Sequence, residues 1–294
     1  MTASYFSVVI ITFNDWVPLN NCLRSLSQQL NGPRFEVIIV DDGSTEPAPA
    51  FIHHWARYFP LTVIRMPAHA GCAAARNRGI RNSDGEIVLF VDADCKCDVN
   101  CLSELAAAIS AAPEHDCFQL HLIGDCSQIT GRSEELRLIT LQLELLQVDQ
   151  RIRYLNTAGF AFRRGRLGTE SHLFDPAALR AEDTLLLANL MQAGKLPLFV
   201  PAAVVQHARP MTLMQCLRKE LRTTYLERNA YDAIAKKGVK VRVSYRERLA
   251  MLQSMWTTAS RPSIGHAAWF VLTIRQTIRL IITLAFQLLP QVGV

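Results

Sequence analysis

Three short apolar runs, residues 7–12, 35–40 and 86–91, constrain this chain more than anything else in it. Each is rich in β-branched residues and stops abruptly at acidic and polar ones: Thr12-Phe13-Asn14-Asp15, Asp41-Asp42-Gly43-Ser44 and Asp92-Ala93-Asp94. A continuous apolar run of this length reads as a strand buried on both faces, which requires a sheet covered by helices on both sides. Between the first two runs, Leu19, Leu23, Leu26 and Leu30 recur at steps of three and four, so 17–30 reads as a helix. Strand, helix, strand implies parallel neighbours, because a parallel return needs a crossover. The alternation continues with a shorter strand at 61–65 and an Ala- and Arg-rich helix at 70–82. Further on, the pattern predicts a helix over 136–148, an extended segment over 157–162, a helix over 179–193 closed by Gly194, and a strand over 198–205.

In such sheets ligands bind outside the carboxyl ends of the strands, so the residues after each run carry the functional weight. Three acidic clusters at one sheet edge repel each other unless a cation or donor groups lie among them. A divalent metal is the economical answer. Mg²⁺ and Mn²⁺ prefer hard oxygen ligands, which carboxylates placed just after strands supply.

The pattern resembles the inverting family 2 glycosyltransferases of the GT-A fold. The resemblance rests on Val9-Ile10-Ile11-Thr12-Phe13-Asn14, Val40-Asp41-Asp42-Gly43-Ser44, Gly71 through Asn77, Phe90-Val91-Asp92-Ala93-Asp94, Glu182-Asp183 and Val205-Gln206-His207, in order over about residues 5–208. It implies an α/β architecture with a Rossmann-like, mostly parallel sheet flanked by helices. It also implies transfer of a sugar from a nucleotide-sugar donor to an acceptor hydroxyl, with Mn²⁺ or Mg²⁺ as cofactor. By the same resemblance Asp94 is the principal metal ligand, Asp92 is directed to the donor's ribose or a metal-bound water, and His207 completes the metal site. Thr12, Phe13 and Asn14 border the donor, with Phe13 along the base; Asp42 reads the base edge, and Arg76 lies near the phosphates. Asp183 takes the place of the base that accepts the acceptor's proton, with Glu182 sharing that role or only favouring the first helical turn.

Two departures stand out. Cys95 follows the second aspartate where the family often has a polar or acidic residue. The Gln-Xaa-Xaa-Arg-Trp motif of processive synthases is missing, Gln215-Cys216-Leu217-Arg218-Lys219 offering no Trp, so transfer of single or few sugars is expected. The close cysteines Cys95, Cys97 and Cys101 lack the spacing of a common zinc site, and the eight Cys of the chain read as reduced thiols.

Charge divides the chain. Residues 1–208 hold 17 Lys and Arg against 22 Asp and Glu, whereas 209–294 hold 14 against 4. The expectation is a catalytic part, 1–208, and a basic helical extension, 209–294. Within the extension, 264–290 is apolar except for Arg275 and Arg279. On a helix those arginines gather with Gln276, Thr283 and Gln287, while Phe270, Val271, Ile274, Ile278, Ile281, Ala285 and Leu288 cover the other side. Two arginines are costly in a span, so an amphipathic helix lying in a membrane interface is expected, the alternative being a helix packed on the catalytic part. The N-terminus, Met1 to Ser7, has no basic n-region, which predicts a chain that starts in the cytoplasm, peripheral on the inner membrane face. The acceptor is then a glycan or a lipid-linked molecule and an anionic membrane a partner. Nucleic acid is not, since aromatics do not interleave with the basic residues. Two other functions use the same sheet: a nucleotide-sugar-forming nucleotidyltransferase, although no Gly-rich basic loop follows Ile11, and a catalytically inactive nucleotide-binding protein, against which Asp92, Asp94 and Asp183 speak.

Overall fold

A computed structural model describes residues 5–167, 172–178, 180–207, 211–227, 234, 236–239, 241, 243 and 245–288. One mixed sheet of eight strands runs in the order β3-β2-β1-β4-β7-β6-β8-β5. The strands are β1 (Phe6–Thr12), β2 (Phe35–Asp41), β3 (Leu61–Arg65), β4 (Ile87–Asp92), β5 (Cys95–Cys97), β6 (Cys117–Gly124), β7 (Phe160–Arg163) and β8 (Leu198–His207). The β3-β2-β1-β4 half is parallel throughout, β7 is antiparallel to both its neighbours, β8 is parallel to β6, and β5 is antiparallel to β8.

The apolar runs form strands because both faces of each are covered. Phe6, Val8 and Ile10 of β1, with Ile87, Leu89 and Val91 of β4, pack beneath α1 (Trp16–Ser27) and α3 (Cys101–Ala111). Val9, Val88 and Phe90 point the other way, toward α2 (Cys72–Arg81) and α5 (Glu182–Gln192). The close seat of α2 on β1 depends on Gly79, where an added Cβ would lie 2.3 Å from Val9 Cγ1.

Register then fixes the site. Thr12 pairs with Asp41, and Ile11 pairs with Asp92, so the acidic turns emerge side by side at the carboxyl edge.

Several boundaries and elements differ from expectation. The helix expected over 136–148 is α4 (Ile129–Glu144), which starts earlier because Thr130, Ser133, Thr140 and Gln142 are buried polar residues that disguise its inner face. It stops at Glu144, and the chain turns back through a bridge between Leu146 and Ile152. The helix expected from 179 begins at Glu182, because Ala181 adopts a left-handed conformation, φ 59°; residue 179 itself lies outside the described residues. Strands β5 and β6 and helix α3 were not foreseen. In β6 the buried Gln119 hides the pattern; its amide donates to the Gly159 carbonyl at 2.9 Å and accepts from the Asn156 N–H at 2.8 Å.

The C-terminal helices are α6 (Leu213–Leu226), α7 (Tyr245–Ala259) and α8 (His266–Leu288). Positions 209–210, 228–233, 235, 240, 242 and 244 of the helical stretch expected over 209–248, and 289–290 of that over 264–290, lie outside the described residues. The Arg-bearing side of α8 faces inward. Arg275 is 4% exposed, donates to Glu220 Oε1 at 2.7 Å and to Ser133 Oγ at 3.2 Å, and pairs with Glu134. Arg279 pairs with Glu220 and Glu227. Burial alone would raise the Glu134 carboxyl, but Arg137 and Arg275 hold it well below the usual range. Ile264, Ala268 and Leu272 pack with Leu136 of α4, while Phe270, Ile274, Leu280 and Ile281 face outward. The helix is thus packed on the rest of the chain, as the alternative expectation had it, through Arg275, Arg279 and a short apolar seam, and leaves those four large apolar side chains on the outside. Among the described residues no helix is long and apolar enough to cross a membrane.

Candidate active site

Three loops meet at the carboxyl edge of β1, β2 and β4. Asn14 stands just past β1 with φ 58°, a left-handed conformation that Asn tolerates well. Its N–H donates to Ser44 Oγ at 2.8 Å, and its Oδ1 accepts from the N–H and the hydroxyl of Thr45, both at 2.9 Å. Asn14 therefore ties the first loop to the second. Among the described residues the buried Thr12 hydroxyl has no hydrogen-bond partner.

Asp42 ties the second loop to the segment before α2. Its Oδ1 accepts from the Ala70 N–H at 2.8 Å, its Oδ2 from the Gly71 N–H at 2.9 Å, and His69 Nδ1 lies 2.8 Å from Oδ2. Gly43, at φ +75°, lets this segment approach; a Cβ there would lie 2.6 Å from the His69 nitrogen. The Phe13 ring stacks on the His69 ring at 4.3 Å with an interplanar angle of 30°. Asp42 was expected to meet a nucleotide base. Its carboxylate is largely committed to shaping this wall, and a carboxylate's remaining lone pairs are what it can still offer a ligand.

At the end of β4, Asp92 and Asp94 diverge. Asp94 Oδ1 lies 3.6 Å from His207 Nε2, the last residue of β8. The Cys95 thiol completes a group in which one donor atom from each of Asp94, Cys95 and His207 lies within 4.8 Å of the others. A carboxylate and an imidazole this close can share one divalent ion, since such bonds are ~2.0–2.2 Å long. The Asp94–His207 pair therefore fits a divalent metal of the kind that the sequence implied.

Asp92 turns to Arg76 of α2, whose Nη2 lies 3.3 Å from Asp92 Oδ1 and whose Nη1 donates to Glu182 Oε1 at 2.5 Å. Arg76 is 4% exposed and its guanidinium lies over the rings of Phe174 and Phe90, at 5.7 and 6.0 Å. Burial works against its charge, yet Glu182 and Asp92 hold the guanidinium protonated more firmly than usual. Arg76, expected near phosphates, is thus a buried strut between the two acidic groups. The adjacent Asn77 fastens the 172–178 segment by donating to the Phe174 carbonyl at 2.7 Å and accepting from its N–H at 3.0 Å.

Asp183 follows Glu182 in the first turn of α5, just after the left-handed Ala181. Its Oδ1 accepts from the Thr184 N–H at 2.6 Å. Burial, and then the charge of neighbouring Glu182, push its carboxyl up to about 7, against the pull of Thr184 and Arg76. Glu182 is instead paired with Arg76. Two participants escaped the sequence reading. His69, beneath Phe13, sits two residues before Gly71 and carries no motif; buried Tyr154, which feels the Asp183 charge, announces itself only through tertiary contact.

Residues 7–168 match the description "Glycosyl transferase family 2". The chain belongs to this family. An N-acetylglucosaminyltransferase of Azorhizobium caulinodans is 26% identical to this family 2 chain over 238 residues, covering 73% of the chain and 57% of that protein. The glycosyltransferase YfnE of Bacillus subtilis is 38% identical over 88 residues, 30% of the chain and 22% of YfnE. The chain thus matches little more than a fifth of YfnE and just over half of the Azorhizobium protein. In fold it is similar to the mannosyltransferase PcManGT from Pyrobaculum calidifontis, in complex with GDP-Man and Mn²⁺, with a TM-score of 0.63, 18% identity and coverage of 95% and 86% of the two chains. It is also similar to S. aureus TarS 1–349 in complex with UDP-GlcNAc, with a TM-score of 0.58, 16% identity and coverage of 96% and 91%. These likenesses establish the GT-A fold.

Proposed function

We propose that this family 2 chain is a metal-dependent inverting glycosyltransferase that moves a sugar from a nucleotide-sugar to an acceptor hydroxyl in glycan or glycolipid assembly. The observation that carries this reading is the Asp94–His207 pair at the ends of β4 and β8, with Asp92 of the same turn joined through Arg76 to Glu182, the neighbour of Asp183 at the start of α5. Asp94 and His207 would hold the ion, and Mn²⁺ or Mg²⁺ suits that role. When bound, the ion neutralises charge on the diphosphate as it leaves. Phe13, stacked on His69, offers a flat surface to the base, Thr12 and Asn14 line the same wall, and Asp92 is assigned to the ribose, held in place by Arg76. Asp183 accepts the proton of the attacking hydroxyl, which approaches the anomeric carbon opposite the leaving group; the sugar carbon–oxygen bond to the phosphate breaks as the new one forms.

The test is to offer the protein a panel of nucleotide-sugars with Mn²⁺ and identify what is released. Nucleoside diphosphate supports transfer; pyrophosphate from nucleoside triphosphate and a sugar phosphate indicates a nucleotidyltransferase, and binding without release an inactive one. In calorimetry, nucleoside diphosphate binding is expected to weaken sharply with chelator and in Asp94→Ala. Binding unchanged in both removes the metal from the mechanism.

We further infer that the outer face of α8 rests on an anionic lipid surface, where a lipid-linked acceptor is met. Phe270, Ile274, Leu280 and Ile281 expose apolar area on that face, and the excess of Lys and Arg in 209–294 complements anionic headgroups. Each basic residue near such a surface contributes about 1 kcal/mol. Burying an Ile side chain contributes about 2 kcal/mol, so the double variant Ile274→Glu, Ile281→Glu is expected to bind anionic vesicles more than tenfold more weakly, with its folding intact. A wild-type protein that ignores anionic and neutral vesicles alike overturns the lipid assignment.

A further inference from the structure

Strand β5 is only three residues long, yet it is fixed in register against the end of β8, with Cys95 opposite His207. Alternation along β5 buries Cys95 and Cys97 and leaves Lys96 exposed. Cys95 follows Asp94 directly, so one short strand and its partner bring a carboxylate oxygen, a thiol sulfur and an imidazole nitrogen within 4.8 Å of one another. Cys97, on the same side of β5, belongs to no such group among the described residues, although Cys22 and Cys101 are buried nearby. The juxtaposition is therefore specific to position 95 and not a general property of a cysteine-rich core.

The chemistry of that donor set differs from a carboxylate site. Oxygen ligands favour Mg²⁺ and Mn²⁺, whereas thiolate with imidazole favours Zn²⁺ and related ions of intermediate softness. We propose that Cys95 is a third metal ligand, so that the site binds Zn²⁺ or Co²⁺ through sulfur, nitrogen and oxygen, as well as the harder ion through Asp94 and His207. This rests on the reading of Asp94 and His207 as metal ligands. As the sulfur–metal bond forms, the S–H bond breaks and its proton passes to solvent. The residue that follows the aspartate thus decides which ions the site accepts. Zn²⁺ becomes a competitor of Mn²⁺ for one place.

The experiment adds Co²⁺ to the purified full-length protein and follows the near-ultraviolet band that arises from charge transfer between thiolate and cobalt. Such a band is expected in the wild type, abolished by excess Zn²⁺, and lost in Cys95→Ser, which preserves shape but replaces sulfur. By calorimetry, Cys95→Ser is expected to weaken Zn²⁺ binding by at least the 10–100-fold typical of losing a supporting group around a metal, with Mn²⁺ binding little changed. A band that persists in Cys95→Ser assigns the sulfur to another cysteine and overturns the proposal. So does Co²⁺ binding without a band, or an equal loss of Zn²⁺ and Mn²⁺ affinity in Cys95→Ser. If Mn²⁺ binds and depends on Asp94 but no thiolate band forms, only the role of Cys95 fails. If no divalent ion binds, the metal reading fails with it.

Discussion

Asp183→Asn is expected to lower turnover by on the order of 10²–10⁴-fold, the range of general base catalysis, while donor affinity stays close to wild type. The substitution keeps the shape of the side chain and removes only its capacity to accept a proton. Burial and Glu182 push the Asp183 carboxyl up to about 7, so it is a stronger base than an exposed aspartate and ionises near neutrality. The sign follows directly. Below pH 7 the group is mostly protonated and cannot act; turnover should rise through about pH 7 and level off above it, and Asp183→Asn should abolish that rise. The same shift touches stability in the opposite sense. A carboxyl that binds its proton more tightly in the folded state contributes stability at low pH that is lost as pH rises through about 7, so Asp183→Asn should flatten this decline. Near-normal turnover in Asp183→Asn with collapse in Glu182→Gln would transfer the role to Glu182.

The largest expected effect on stability belongs to Arg76→Met. Arg76 is almost wholly buried, and Glu182, which it holds, is 7% exposed. Removing one member of a buried ion pair leaves the other charge without compensation, which costs about 3–5 kcal/mol. Methionine fills much of the same space between Phe90 and Phe174, so the loss should reflect charge more than a cavity. Denaturant unfolding of Arg76→Met, Glu182→Gln and the double variant measures the coupling. The double variant is expected to recover part of the loss; if Arg76→Met unfolds at the wild-type midpoint, the strut carries no structural weight. Because the same guanidinium reaches Asp92, the variant should also bind donor less well.

How much of this could be read beforehand depended on how local each signal was. β1, β2 and β4 declared themselves because a strand covered on both faces needs only its own residues to look apolar, and their acidic ends followed in the next few positions. β6 did not, since Gln119 is made acceptable by Asn156 and Gly159, far along the chain. β5 is too short for any pattern to appear. Within the site, Asp92, Asp94, Glu182 and His207 were legible as residue types, but the contact of Arg76 with Glu182 spans 106 positions and no spacing rule reaches so far. For α8, periodicity revealed two unlike faces and could not say which one met the protein. The neighbours Glu134 and Glu220 decided it, by offering charge to Arg275 and Arg279.

That orientation bears on how the protein can be handled. The obvious route to a better-behaved preparation is to cut the chain before its last greasy helix. Here the cut would strip Glu134 and Glu220 of the cation they share and uncover Leu136, so the shortened product should aggregate sooner than the parent. Repainting the outside of the helix with polar residues, at Ile274, Leu280 and Ile281, leaves the inward contacts of Ile264, Ala268, Leu272, Arg275 and Arg279 in place. For crystallisation or binding work, surface redesign is the route this architecture permits and shortening the one it forbids.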